Sequence, residues 1–210
     1  MHRFQKFVQV TALTALAVFT LAACSPKAAG SAGALPDDMS LGDAKAKVTV
    51  TEYASVGCPV CGRWDKEVWP AFKAKYVDTN KVHYVFREML VGGGSEVAVA
   101  SAGFMLARCA GKDKYFAVND AIFASQPGVF DQPRETLLNV AKSVGMTEAQ
   151  LKTCIEDEKA LAALNTRVEH NAKLGGIDST PTFVVNGKKL EAGYQPLTAI
   201  DAAIAEAQAK

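Results

Sequence analysis

The sequence predicts an α/β fold in which a long helical segment interrupts a single sheet. Two short β-branched segments flank a helical one near the start of the folded part, residues 48–89. Residues 92–174 contain no convincing strand, and a hairpin followed by an amphipathic helix closes the chain. Because the strands on both sides of the helical block need partners, we expect one α/β domain that carries an inserted helical domain.

The composition is that of an ordinary globular protein. The chain has 210 residues, of which 49% are hydrophobic and 21% charged, so wholesale disorder is excluded. The formal net charge is +1 and no long basic run occurs, which argues against a nucleic-acid partner. Five cysteines are too few for a disulfide-dense scaffold, and their odd number asks which thiol lacks a partner.

Residues 1–23 have the pattern of a secretory signal peptide. A short basic segment precedes an apolar stretch that ends in Leu21-Ala22-Ala23-Cys24. This ending resembles a bacterial lipobox, in which the cysteine sulfur receives a diacylglyceryl group and the chain is cleaved before it. We therefore expect Cys24 to anchor the protein to a membrane, with ordinary cleavage or a retained membrane helix as alternatives. Residues 24–45 are predicted to be the lipidated N-terminus and a flexible tether.

Residues 46–91 are predicted to form a β-α-β unit. Alternating β-branched residues predict strands over residues 48–53 and 82–89. Between them, a helix is expected over residues 59–76, kinked at Pro70. Its apolar stripe consists of Trp64, Val68, Trp69 and Phe72. A strand, a crossover helix and a second strand imply parallel pairing with a right-handed connection.

The block of residues 92–174 is predicted to be a helical insertion of five helices. The expected helices begin at Ser95 as a cap, at about Tyr115, at Asp131-Gln132-Pro133, at Thr147 and at Glu158. The fourth has the strongest start signal, because Thr147 and Gln150 have the spacing of a capping box. Glycines at positions 111 and 145 are expected to end the first and third helices.

Residues 175–210 are predicted to return the chain to the sheet. Asn186-Gly187 separates two strand-like segments, 182–185 and 188–190, which is a strong signal for a β-hairpin. Leu197, Ile200 and Ile204 then recur at helical spacing and predict a terminal helix. The order β-α-β, helical block, β-β-α completes the α/β domain with its insertion.

The chemistry is concentrated at Cys58 and Cys61. Two thiols at C-x-x-C spacing on a helix N-terminus can close a small disulfide, and Pro59 suits the first helical turn because it needs no N–H there. Free backbone N–H groups and the helix dipole stabilise the Cys58 thiolate, which makes this sulfur the nucleophile and a good leaving group. Cys61, one turn further on, is expected to be buried and to act as the resolving thiol.

Metal binding is the main competing use of a C-x-x-C pair. A structural zinc site needs four nitrogen or sulfur ligands, usually with a second close pair. Cys109 and Cys154 are far apart in sequence, and only His83 and His170 follow the predicted leader. The strand–turn–CxxC–helix setting therefore favours redox chemistry and predicts no metal centre, although a thiol carrier of a soft ion such as Cu(I) stays open.

Two motifs in this order resemble the DsbA-like thiol–disulfide oxidoreductases, which have a thioredoxin fold with a helical insertion. They are Cys58-Pro59-Val60-Cys61 and Ser179-Thr180-Pro181-Thr182-Phe183, and the resemblance covers about residues 47–210. It implies disulfide exchange without a bound cofactor. It also implies that Pro181 is cis beside the active disulfide and that the Thr180 backbone pairs with an extended substrate peptide; a trans proline in a turn is the alternative from sequence alone.

The resemblance also assigns roles to Glu52 and Val60. Glu52 lies six residues before Cys58, where the family places a buried acid that accepts the proton of the resolving thiol, here Cys61. The alternative is a solvent-facing strand glutamate. Val60 stands where the best-known periplasmic oxidant of the family has histidine, and valine cannot stabilise a thiolate. We therefore expect Cys58 to be less acidic, and the disulfide less oxidising, than in that relative.

Cys109 and Cys154 are expected to form a disulfide that braces the helical insertion. Cys109 ends one predicted helix, and Cys154 lies on the apolar face of another. In an oxidising compartment a disulfide joining the two helices is the favoured interpretation, whereas reduced core cysteines are the alternative. The odd cysteine is then Cys24.

Together these features predict a lipid-anchored thiol–disulfide oxidoreductase on the periplasmic face of a bacterial envelope. It is expected to act as a monomer on exported proteins with cysteines, most simply as a disulfide donor, and a membrane redox partner would recycle the Cys58–Cys61 pair. A reductase or isomerase with the same site is the nearest alternative. Isomerases usually dimerise, and no dimerisation segment is evident between Cys24 and Val48. A copper carrier is the alternative from another class.

Overall fold

A computed structural model describes residues 1–2 and 35–209. Most of the predicted signal peptide, the predicted lipidation site Cys24 and the first part of the predicted tether therefore lie outside the described residues. Within the described part, no helix is both long and apolar enough to cross a bilayer.

Five strands form one mixed sheet. They are β1 (Met39–Leu41), β2 (Val48–Ala54), β3 (Val82–Glu88), β4 (Thr182–Val185) and β5 (Lys188–Lys189). Their spatial order is β1-β3-β2-β4-β5, in which β2 and β3 are parallel and the other neighbours are antiparallel. The predicted parallel β-α-β pair is confirmed, and β2 is the central strand of the sheet, between β3 and β4.

Strand β1 corrects the prediction for residues 24–45. This segment was expected to be a flexible tether, yet Met39–Leu41 pairs with the outer edge of β3. Three residues are too few to show a period of two, so the sequence pattern carries no strand signal there. A buried ion pair, 3.0 Å between Asp38 and Arg87, holds the start of β1 against β3. Only the folded chain brings these two residues together.

Eight α-helices complete the described part of the chain. They are α1 (Pro59–Glu67), α2 (Trp69–Phe72), α3 (Gly94–Ala110), α4 (Lys112–Ala124), α5 (Pro133–Ser143), α6 (Glu148–Ile155), α7 (Glu158–Gly175) and α8 (Leu197–Gln208). A π-helical turn (Lys73–Val77) follows α2, and a 3₁₀ turn (Gly128–Phe130) precedes α5. Helices α3 to α7 lie between β3 and β4 in the chain, and we call them the helical insertion.

The predicted helix over residues 59–76 is divided rather than merely kinked. Helix α1 ends at Glu67, and Val68 separates it from α2, with Pro70 in the first turn of the second helix. Proline cannot donate a backbone hydrogen bond, and its ring clashes with the carbonyl four residues earlier. The helical hydrogen bonds are therefore interrupted just before Pro70.

Of the predicted N-terminal caps of α3 and α6, the first is wrong and the second is confirmed. Ser95 does not cap α3: Gly93 is the cap residue, and the Glu96 carboxylate accepts a hydrogen bond of 2.5 Å from its backbone N–H. At α6 the Thr147 hydroxyl accepts from the Gln150 N–H at 3.2 Å, while the Gln150 side chain accepts from the Thr147 N–H. The capping box there follows from local spacing, whereas Gly93 has no side-chain signal to recognise.

The aromatic stripe of α1 and α2 fixes the first helix on the sheet. Trp64, Val68, Trp69 and Phe72 are all buried, as their spacing predicts. The Trp64 ring lies 4.7 Å from the ring of Phe183 on β4, and its indole N–H donates to the Gln195 carbonyl. The predicted hairpin is also present, because Asn186 and Gly187 both have the positive φ angles of a tight turn. The N-terminus of α1 is thereby held beside the start of β4.

Candidate active site

The C-x-x-C motif lies where strand β2 passes into helix α1. Cys58 is the N-cap residue of α1, and Pro59 occupies its first turn. Cys58 is 9% exposed and Cys61 is fully buried, whereas Val60 is 41% exposed. Both cysteines are thiols in the structure. An incoming sulfur could therefore reach Cys58 but not Cys61.

The two thiols have opposite electrostatic environments. The pKa of Cys58 is lowered from 9.0 to about 6, chiefly by a hydrogen bond from the Cys61 thiol, with help from the backbone N–H groups of Cys61 and Val60. Burial opposes this lowering without cancelling it. The pKa of Cys61 is raised well above its ordinary value, first by burial and then by its interaction with Cys58. The site thus holds one thiolate and one protonated thiol at neutral pH.

The Thr180-Pro181 segment lies directly beside Cys58. The peptide bond between these two residues is cis, and the Cys58 thiol, in its protonated form, donates to the Thr180 carbonyl oxygen at 3.5 Å. Strand β4 begins immediately afterwards, with Thr182 paired to Tyr53 on β2. The Thr180 hydroxyl is buried and has no hydrogen-bond partner among the described residues. The sheet thus brings together two motifs that are about 120 residues apart.

Glu52 is a buried acid beneath the pair of cysteines. It is 2% exposed on β2, and the Tyr84 hydroxyl donates to its carboxylate at 2.5 Å. Burial raises its pKa from 4.5 to about 8, although the hydrogen bond from Tyr84 works in the opposite direction. Its charge in turn contributes to the raised pKa of Cys61. The sequence analysis identified Glu52 but not Tyr84. In the sequence, nothing distinguishes Tyr84 from any other tyrosine on a strand.

Two further acids near Glu52 were missed. Burial raises the pKa of Asp65 on α1 to about 8 and that of Asp120 on α4 to about 6. Asp65 follows Cys61 by four residues and therefore lies on the same side of α1. This spacing is visible in the sequence and could have identified Asp65 as a neighbour of the site. Asp120 comes from the helical insertion, and no local pattern relates it to the cysteines.

Gln126 was also missed. It follows α4 in the helical insertion, and its amide donates to the Val56 carbonyl at 2.7 Å and to the Cys58 carbonyl at 3.5 Å. A glutamine 68 residues from the nucleophile carries no signal in the sequence. It is nevertheless a polar contact between the insertion and the active-site turn.

Cys109 and Cys154 lie outside this site. They are joined by a disulfide that connects the last turn of α3 to α6, with 5.9 Å between their Cα atoms. Among the residues that the structure describes, no three or more histidine, cysteine or acidic side chains are grouped so that they could hold a metal ion.

A fold of this kind with a C-x-x-C motif at a helix N-terminus is that of a thioredoxin-like redox protein. Residues 34–205 match a family model described as Thioredoxin. Among curated relatives, a Rickettsia bellii protein named "Putative protein-disulfide oxidoreductase" is 34% identical over 174 residues, which cover 81% of this chain and 64% of that protein. A relative of the same description from Rickettsia conorii is 32% identical over 83% of this chain and 63% of its own length. The chain thus spans less than two thirds of these relatives.

Two solved structures that resemble this protein are DsbA proteins. Wolbachia pipientis α-DsbA1 superposes with a TM-score of 0.70 at 27% identity, covering 84% of this chain and 95% of that one. Chlamydia trachomatis DsbA, at 18% identity, gives a TM-score of 0.70 over 84% of this chain and 94% of its own, which supports the fold alone. The chain therefore belongs to the thioredoxin family, and within it the chain is similar to the DsbA-like proteins.

Proposed function

We propose that this protein is an extracytoplasmic thiol–disulfide oxidoreductase that donates its Cys58–Cys61 disulfide to cysteines of exported proteins. One observation carries the proposal: the accessible Cys58 has a pKa lowered to about 6, while the buried Cys61 beside it has a raised pKa. This asymmetry gives the pair one sulfur that is attacked and leaves readily, and one that waits as a protonated thiol.

The donor cycle exchanges two electrons without a bound cofactor. A substrate thiolate attacks the Cys58 sulfur of the disulfide, so that the Cys58–Cys61 bond breaks and Cys61 leaves with the electron pair. The second substrate thiol, as thiolate, then attacks the substrate sulfur of the mixed disulfide and expels Cys58. The substrate is oxidised to a disulfide, and Cys58 and Cys61 are left reduced. A redox partner that accepts two electrons must reoxidise them.

Glu52 suits the proton transfer at Cys61. When Cys61 leaves as a thiolate in a buried site, it must take up a proton, and when it attacks a mixed disulfide it must lose one. A carboxyl group with a pKa of about 8 can serve as donor or acceptor near neutral pH. We expect an extended substrate segment to pair with the Thr180 backbone, which lies next to the Cys58 sulfur.

The lowered pKa of Cys58 supports the donor direction of exchange. Stabilising Cys58 as a thiolate stabilises the reduced protein and makes its disulfide more oxidising. A pKa of about 6 lies between the roughly 3.5 known for DsbA and the roughly 7 known for thioredoxin. We therefore propose a disulfide donor that is weaker than a DsbA with histidine at the position of Val60.

We further propose that Cys24 is the site of lipidation and that the mature protein is tethered to the periplasmic face of a membrane. The support is the Leu21-Ala22-Ala23-Cys24 sequence after a basic and apolar leader. Mass spectrometry of the protein expressed in a bacterial host should find a diacylglyceryl-modified N-terminal cysteine, which Cys24→Ser should abolish. An unmodified N-terminus in the membrane fraction would exclude the anchor.

Trapping of mixed disulfides tests the central proposal. In an exported Cys61→Ala variant, Cys58 should accumulate disulfide-linked adducts with envelope proteins, and the Cys58→Ala/Cys61→Ala variant should show none. Equilibration with glutathione then gives the direction: a potential nearer about −120 mV supports a donor, and one near about −270 mV a reductase. The absence of adducts, together with tight binding of Cu(I) by the wild type, would overturn the oxidoreductase in favour of a metal carrier.

A further inference from the structure

The helical insertion forms one wall of the turn that carries the nucleophile. A Cβ atom on Gly57 would lie 2.1 Å from the backbone oxygen of Glu96, so the first turn of α3 packs directly on this glycine. Val56, fully buried, reaches Gly103 on the same helix. The turn before Cys58 is therefore enclosed by a part of the chain that contributes no cysteine to the reaction.

Gln126 supplies the polar part of this wall. Its amide nitrogen lies 2.7 Å from the Val56 oxygen and 3.5 Å from the Cys58 oxygen. The Cys58 carbonyl also accepts the first hydrogen bond of α1, from the Gly62 N–H at 3.0 Å. One side chain thus bridges the carbonyl before the turn and the carbonyl of the nucleophile.

Gly62 makes room for this amide. A Cβ atom on Gly62 would lie 2.4 Å from the side-chain oxygen of Gln126 and 2.8 Å from the carbon of the same side-chain amide. Glycine costs roughly 0.5–1 kcal/mol relative to alanine inside a helix. The close approach of Gln126 is a physical reason for a glycine at this position.

We propose that Gln126 is a positioning residue of the redox site, which holds the Cys58 carbonyl and thereby sets how strongly the Cys58 sulfur is stabilised as a thiolate. This inference rests on the proposed function. A carbonyl oxygen carries partial negative charge close to the sulfur of the same residue, and an amide donor offsets that charge. The same bond fixes the turn, so that the N–H groups of Val60 and Cys61 stay directed at the sulfur.

The measured quantity is the equilibrium with glutathione. The Cys58–Cys61 disulfide and two glutathione thiols give the reduced pair and one glutathione disulfide, a transfer of two electrons; with Cys58 ionised, one proton is released. Gln126→Ala should lower this equilibrium constant about three- to tenfold, the range expected for one hydrogen bond. Gln126→Glu should lower it further, because it replaces a donor with a negative charge. In both variants the ionisation of Cys58 should move to higher pH.

Gly62→Ala gives an independent test without touching Gln126. The added methyl group meets the far end of a flexible side chain, so the protein should fold while the Gln126 amide is displaced. Gly62→Ala should therefore reproduce the change in equilibrium constant seen for Gln126→Ala. In the Gln126→Ala background, Gly62→Ala should have no further effect. Two independent, additive effects would contradict the coupling.

A matched control lies in the same insertion. Gln150→Ala removes the capping box of α6 and should lower the melting temperature without changing the glutathione equilibrium. If Gln150→Ala shifts the equilibrium as much as Gln126→Ala, or if both Gln126 variants match the wild type, the inference is wrong. If the wild type itself does not exchange with glutathione, the proposed function fails, independently of Gln126.

Discussion

At the scale of single residues, the groups around the C-x-x-C motif have pKa values shifted in opposite directions. Cys58 is surrounded by donors that favour its charged form, so its pKa falls to about 6. Glu52 and Cys61 are fully enclosed, and burial disfavours the charged form of both. At neutral pH, Glu52 and Cys61 therefore keep their protons, and the negative charge lies on the Cys58 sulfur.

Replacing Glu52 with glutamine should stabilise the fold at alkaline pH. The unfolded carboxyl ionises near 4.5, whereas the folded one keeps its proton to about pH 8. The folded state binds more protons between these values, so the free energy of unfolding falls as pH rises through this window. The upper limit of this loss is about 5 kcal/mol, at about 1.4 kcal/mol per pH unit. Glu52→Gln should remove this contribution and make the slope shallower, while the contributions of Asp65 and Asp120, whose pKa values burial also raises, should remain. The measurement is urea unfolding of the oxidised protein at several pH values.

The exposed Glu191 offers a control for Glu52. Glu191→Gln should leave the pH profile of stability unchanged, because its carboxyl group faces solvent. A Glu52→Gln protein whose stability still falls as steeply as the wild type's would show that another group causes the slope.

Replacing Val60 with histidine should make Cys58 more acidic. Val60 is 41% exposed next to the sulfur, so an imidazole fits without disturbing the core. A protonated imidazole stabilises the neighbouring thiolate by roughly 1 kcal/mol at a partly exposed position, which lowers the Cys58 pKa by somewhat less than one unit. The rate of alkylation as a function of pH reports this change. Val60→Ala is the control and should leave the midpoint near that of the wild type.

At the scale of elements, the disulfide between Cys109 and Cys154 should stabilise the helical insertion without taking part in exchange. It joins α3 to α6 across a separation of 45 residues. The chain-entropy model gives an upper value of about 4 kcal/mol for a loop of this length. Cys109→Ala/Cys154→Ala should therefore lower the free energy of unfolding by about 2–4 kcal/mol, measured in urea, and leave the glutathione equilibrium of the C-x-x-C pair unchanged.

Thr153 provides the matched control for the disulfide. It is exposed on α6 beside Cys154, and Thr153→Ala should change stability by less than about 0.5 kcal/mol. If Cys109→Ala/Cys154→Ala changes the glutathione equilibrium of Cys58 and Cys61, the disulfide influences the active-site turn through α3, and the prediction is wrong.

Elements were predictable where their signals are local. The capping box at Thr147, the Asn186-Gly187 hairpin and the apolar stripe of α1 all depend on spacings within a few residues, and the structure has them. Pro70 predicts a kink in this helix, whereas the structure divides the helix at Val68. The position of the division depends on hydrogen bonds several residues upstream of Pro70. Strand β1 had no local signal, because its stability comes from β3.

At the scale of the whole molecule, reduction of the C-x-x-C pair should stabilise the protein increasingly with pH. Cys58 ionises near 9.0 when unfolded and near 6 when folded. Its stabilisation is complete above the unfolded value and is lost as pH falls through about 6. The difference between the unfolding free energies of the reduced and oxidised forms should therefore grow by about 3 kcal/mol between about pH 5.5 and pH 8.5, as measured by urea unfolding.

Comparing the two redox forms isolates the cysteines, because Glu52 contributes to both. The unfolding free energy of Cys58→Ser, measured against that of the oxidised wild type, should show no such growth over this range. An oxidised form that is the more stable one at about pH 8.5 would contradict a disulfide donor and would favour a reductase.

The sequence by itself determined the class of fold and the residues of the proposed redox site. The C-x-x-C pair, its helix and the Thr180-Pro181 segment are each visible in a short stretch of residues, and periodicity predicts the strands and helices around them. Only the tertiary structure decided which groups surround the sulfur atoms. Tyr84, Asp120 and Gln126 reach the site from elements distant in sequence, and their effects depend on burial and on distances of a few ångströms. Such distances arise from packing, which no local pattern of residues records.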